Sequence, residues 1–151
     1  GTMDAARRIL DELFAVHAAL AHAAELGACR ARRSPDPILR ARWLAIAAAR
    51  AEFRDRVGSR IAVLHGTPPP LGMQAFPAPA KEVARLLRAD LATSHALAAR
   101  CRRIARVAIA LGDAESGALL ERIAVEGLGH AAELARSLAL HYAREARAAA
   151  P

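Results

Sequence analysis

Apolar residues recur along this chain at steps of three and four, the repeat that lines up side chains on one face of an α-helix. The first helix is predicted from Asp4 to about Arg33, with Leu10, Leu13, His17, Leu20 and Ala24 on its inner stripe. Ser34-Pro35-Asp36-Pro37 then breaks the chain, with Asp36 suited to cap the next helix and Pro37 to open it. The second helix runs to about His65, where Gly66 ends it, and its inner face reads Leu39, Trp43, Ile46, Arg50, Phe53, Val57, Ile61 and Leu64. The third begins near Pro79 and carries Val83, Leu87, Leu91, Ser94, Leu97, Cys101, Ile104, Ala108 and Leu111 inward. Gly112 stops it, Asp113 caps the fourth helix, and that helix continues to about Ala146 with Leu120, Ile123, Gly127, His130, Leu134 and Leu138 facing in.

The connection between Gly66 and Pro79 sets the topology. Pro68, Pro69, Pro70 and Pro77 keep it from being helical. About 13 residues at roughly 3.3 Å each span some 43 Å. A helix of about 28 residues is roughly 42 Å long, so the link can travel the whole bundle and leave the second and third helices parallel. The other two connections are short and make antiparallel hairpins. The expected fold is therefore all-α, a four-helix bundle with one long crossover, in a single domain spanning 1–151. A plain up-down-up-down bundle is the competing topology.

Composition sharpens this picture in a few respects. Ala and Leu dominate, and aromatics are only 3%, which favours helix over strand. No run of apolar residues is long enough to cross a membrane. Gly1-Thr2 ahead of Met3 reads as a cloning scar. Cys29 and Cys101 give no disulfide framework, so a reducing, cytoplasmic location is expected. The formal charge of +7 comes almost wholly from arginine, with Lys81 the only lysine. Such a charge suits nucleic acid or another acidic partner, but the arginines are spread over all four helices and form no strong cluster with aromatics, as compositional bias alone would spread them.

Three fragments carry a resemblance. Arg60-Ile61-Ala62-Val63-Leu64-His65-Gly66-Thr67-Pro68 is similar to the "ERIL-L-G-P" end of the second helix of bacterioferritins. Asp90-Leu91-Ala92 with Gly112-Asp113 resembles their "DLALE…GD" frame, and Leu119-Leu120-Glu121-Arg122-Ile123 followed by His130 resembles "LLEEIL-DEEEH". In order and spacing these fragments cover about residues 10 to 140 and identify a ferritin-like chain of the iron-storage type.

The resemblance implies a centre for two iron ions, held by one Glu from each of two helices and Glu-x-x-His from each of the others. Its positions fall here on His17, Arg50, Phe53, Ser94, Gly127 and His130. Only His130 keeps the ligand. Arg50 brings a positive charge where dications would sit, which at about 4 Å and an effective dielectric near 20 costs roughly 4 kcal/mol per unit of ion charge. The expectation is a degenerate site without metal or ferroxidase activity. A polar plug would stand in its place, Arg50 donating to His17, Ser94 or backbone carbonyls, with Glu126 near enough to swing in. Two other readings stand beside it. In one, Arg50 reaches outward and the histidines are ordinary core residues. In the other, a mononuclear site forms from His17, His130 and Cys101 or Glu126. The resemblance also implies haem, held by a Met where this chain has Ala51. Met73 lies in the crossover, so no haem is expected.

A non-catalytic ferritin-like subunit follows, as a homodimer or larger oligomer or co-assembled with an active bacterioferritin subunit. The alternative is a reused helical scaffold that binds an acidic partner or DNA through Arg100, Arg102, Arg103 and Arg106.

Overall fold

The computed structural model describes residues 2–68, 70, 71 and 82–151. Four helices follow one another, α1 (Thr2–Arg33), α2 (Pro37–Val63), α3 (Val83–Ala110) and α4 (Ala114–Ala149). Among the described residues there is no strand. No helix is long and apolar enough to cross a membrane.

The helix ends follow from the residues at them. The Asp36 carboxylate accepts the Ile38 N–H at 3.0 Å, and Pro37 opens α2 with a ring that needs no hydrogen bond there. At the other end of α2, His65 takes the left-handed conformation at φ 61°. Its N–H reaches the Ala62 carbonyl at 3.0 Å, and the Gly66 N–H reaches that of Ile61 at 2.9 Å. Gly66 is needed for space, since a Cβ there would come within 2.8 Å of Leu10 Cδ2. Helix α3 ends in the same motif, with Gly112 in the left-handed region at φ 88° and the Asp113 N–H on the Ala108 carbonyl at 2.8 Å.

Asp113 then caps α4, accepting the Ser116 N–H at 3.0 Å and the Ser116 hydroxyl at 2.5 Å. Arg60 closes this knot from α2, donating to Asp113 at 2.9 Å, to Glu115 at 2.7 Å and to Ser116 Oγ at 2.9 Å. Burial pushes the Asp113 carboxyl up, but the Ser116 and Arg60 hydrogen bonds outweigh it and hold the group below its ordinary value. The Arg60 and Gly112-Asp113 fragments, far apart in sequence, are thus one contact in space.

The same long-range pairs fix the topology. Arg42, early in α2, donates to Ser137 Oγ at 2.7 Å late in α4, whereas Arg60, late in α2, meets the start of α4. These two helices are therefore antiparallel. Helices α1 and α3 are antiparallel as well, since Glu12 pairs with Arg100 and Arg30 with Asp90. Because α1 and α2 form a hairpin, α2 and α3 run parallel, and the end of α2 and the start of α3 lie at opposite ends of the bundle. This is the ferritin-like arrangement with one crossover, and the up-down-up-down alternative is excluded. Helix α3 starts at Val83, four residues later than Pro79, the start read from the sequence. Pro79 and Met73 lie outside the described residues.

Two apolar clusters fill the interior. One gathers Leu13, Val16, Leu20, Phe53, Val57, Ile61, Cys101 and Leu120 among others. The second is smaller and is built on Trp43, Ile46, Leu87 and Leu134. Each of these large side chains contributes about 1.5–3 kcal/mol by leaving water. The buried polar residues Arg50, Asp90 and Ser94 belong to neither cluster. Three stripe positions need correction. Val16, not His17, is the buried residue of α1 at that turn. Asp90 is buried while Leu91 is only half-buried. Leu111 is 46% exposed, because α3 has already ended there.

Candidate functional site

A cavity of about 20 Å³ touches all four helices, lined by Leu20 and Ala23 of α1, Arg50 and Phe53 of α2, Thr93, Ser94, Leu97 and Ala98 of α3, and Ile123, Gly127 and His130 of α4. Arg50 and Phe53 reach it together because residues three apart share a helix face. Five of the six positions singled out in the sequence therefore converge: Arg50, Phe53, Ser94, Gly127 and His130. His17 does not. Its ring packs against α2, where a Cβ on Gly58 would lie 3.6 Å from His17 Nε2. Burial first, then Arg54, lowers the pKa of His17, with Asp55 opposing.

Arg50 is the centre of the site. Its Nη2 donates to Asp90 Oδ1 at 2.7 Å and to Ser94 Oγ at 2.9 Å, and Nη1 approaches the Ala23 carbonyl at 3.5 Å. Arg50 is 5% exposed and Asp90 2%. A charge so buried persists only with a partner, and the partner here is Asp90, one turn before Ser94 on α3. A second guanidinium, Arg30 of α1, stands 3.6 Å from the other Asp90 oxygen. Burial lowers the pKa of Arg30, Asp90 raises it, and Arg50 lowers it further. The polar layer therefore holds two cations on one carboxylate.

The expected plug is present in part. Arg50 does donate to Ser94 and approach a backbone carbonyl, and it does not reach outward. It does not meet His17, and the counter-charge is Asp90 rather than Glu126, which pairs with Arg122 on its own helix at 3.4 Å. His130 lines the cavity without a hydrogen bond among the described residues. Burial and then Arg50 depress its pKa, against Glu133, Glu126 and Asp90. Cys101 lies in the larger apolar cluster, where burial pushes its thiol up to about 12.

These donors do not fit a pair of iron ions. The cavity offers one imidazole, two hydroxyls and a guanidinium, and no carboxylate lines it. Nor does a mononuclear set assemble. His17 and Cys101 face elsewhere, and no three His, Cys, Asp or Glu among the described residues are placed to share an ion. Ala51 has no sulfur to offer haem.

Asp90 is the residue that sequence reasoning missed in this role. It was readable: Asp90 is the only carboxylate of α3, and Leu87, Asp90 and Ser94 are spaced three and four apart. The neighbouring Leu91 drew the apolar stripe one residue off.

No family model matches this sequence, and no curated protein matches it. Solved structures do. The chain is similar to the bacterioferritin of Desulfovibrio desulfuricans, a protein with a diiron site, at 19% identity and a TM-score of 0.83, covering 92% of this chain and 82% of that one. It is also similar to a protein of Xanthomonas campestris pv. campestris, at 21% identity and a TM-score of 0.82, covering 95% and 97%. The fold is ferritin-like, similar to that of bacterioferritin.

Proposed function

We propose that this chain is a non-catalytic member of the ferritin-like fold, a structural or co-assembling subunit of the iron-storage type that has lost ferroxidase activity. The observation that carries the reading is Arg50. Its guanidinium lies mid-bundle, paired with Asp90 and Ser94, where the helix faces converge. A fixed positive charge there replaces mobile dications as the partner of the interior carboxylate. It supplies the charge and hydrogen bonds of a structural centre, without redox chemistry or open coordination positions.

The subunit role draws support from α2. Residues 43–49 of this helix are all apolar, and of these Leu44, Ala45 and Ala48 are exposed. A second copy, or an active bacterioferritin subunit, would cover that surface in a dimer or larger oligomer. Both cysteines are free thiols, which suits a reducing compartment such as the cytoplasm.

Ferrous iron oxidation in air, followed by absorbance and oxygen uptake, tests the reading. The protein alone should oxidise iron no faster than buffer, and mixed with an active bacterioferritin it should appear in joint assemblies by native mass spectrometry. A stoichiometric burst of oxidation by the protein alone would refute it.

A second reading has its own observation. Arg102, Arg103 and Arg106 are exposed on α3 and enter no ion pair among the described residues, while Arg100 is held by Glu12. This is a surface for an acidic partner or DNA. Retention of duplex DNA at low salt, falling steeply as salt is added, would favour it.

A further inference from the structure

We infer that the mid-bundle cavity between Arg50, Ser94 and His130 is a binding site for one small inorganic anion of the halide class. The hydrogen-bond inventory points this way. Ser94 is 4% exposed, and its Oγ accepts from Arg50. Its own O–H proton has no acceptor among the described residues. Arg50 uses both protons of Nη2 and one of Nη1, so its Nε–H and the other Nη1 proton are uncommitted. His130 adds a ring N–H with no partner. Thr93, also on the wall, is already bonded to the Ala89 carbonyl. Arg50, Ser94 and His130 border one space whose wall is otherwise largely apolar and contains no carboxylate.

Charge and size narrow the ligand. Arg30 and Arg50 share the single carboxylate of Asp90, which leaves a surplus positive charge in the buried layer. Glu126 and Glu133 act on His130 from a distance but do not line the cavity. An uncompensated buried charge is costly, and an anion removes that cost. A water molecule would leave the surplus positive charge of the layer in place, whereas an anion neutralises it. The volume of about 20 Å³ slightly exceeds the roughly 10–15 Å³ that a single water needs. It admits a monatomic ion and excludes sulfate or phosphate. At Gly127 a Cβ would fit in ordinary contact, 3.9 Å from Ala98, and would take up part of this space.

The inference rests on Arg50, and not iron, occupying the centre. Crystals soaked in sodium bromide and measured at the bromine edge provide the test, with a second data set at the iron edge from iron-soaked crystals. The expected result is one bromide per chain in the cavity, in contact with Arg50 and Ser94. In solution, added chloride should raise the thermal midpoint of the protein more than that of its Ser94→Ala variant in the same buffer. Ser94→Ala, which removes a donor but keeps the ion pair, should weaken halide affinity by about tenfold. An empty or water-filled cavity with no iron, or the same chloride dependence of the midpoint in both proteins, overturns the anion site and leaves the functional reading standing. Iron peaks in the cavity overturn both.

Discussion

Asp90 is the sharper probe of the buried pair. Removing it strands two guanidinium groups in the interior, so Asp90→Leu should destabilise the fold by about 3–5 kcal/mol. The double substitution Arg50→Met with Asp90→Leu removes both members of the closest pair. Its cost should fall well short of the sum of the single costs, and urea denaturation of the four proteins in a double-mutant cycle measures the difference. His130 sets a pH dependence of the opposite kind to a surface histidine beside a carboxylate. Its folded pKa lies below its ordinary 6.5, so the unfolded chain binds more protons as the pH falls past that value. This contribution to stability is full above about pH 6.5 and is lost as the pH drops toward the folded pKa. In halide-free buffer the thermal midpoint should decline between pH 7 and 5. His130→Gln should flatten part of that decline, with His17 supplying a further part of the same sign. At this scale the sequence was legible wherever a residue's own chemistry was decisive. An arginine on an apolar stripe marked the site. Its partner was hidden because Leu91, next to Asp90, satisfied the apolar pattern, and only three-dimensional packing chooses between adjacent positions.

The helix junctions were the most readable elements. Asp36-Pro37, Gly112 and Asp113 each carry local chemistry that acts without tertiary help and do in the fold what their types predict, whereas at the end of α2 the left-handed residue is His65 and Gly66 makes room for Leu10. Asp113 goes further than a cap, since Arg60 ties it to the far end of α2. Asp113→Ala should therefore cost about 1–2 kcal/mol, at the upper end for a lost cap, with the denaturant midpoint as the readout. Arg60→Met should act in the same direction, and the two effects should not add. The start of α3 was misplaced for a physical reason. Glu82 precedes it without a side-chain cap hydrogen bond, so nothing local marks Val83 as the first helical residue. His17 was misplaced because a one-residue error, about 100° of rotation, on a long Ala-rich helix leaves the small apolar residues almost equally distributed.

For the whole molecule, the length of the second connection was enough to foresee the parallel α2 and α3, and ion pairs between α1 and α3 and between α2 and α4 bear this out. Parallel placement has a consequence for the site. It brings Arg50 of α2 level with Asp90 and Ser94 of α3, a pairing that an up-down-up-down chain would not produce from the same helices. The most direct measurement of the central claim is an iron-edge anomalous difference map from crystals grown anaerobically with excess ferrous iron. A cavity without iron, with the Arg50 guanidinium still on Asp90, is the predicted result. Two iron ions in that space, with Arg50 swung aside, would contradict it.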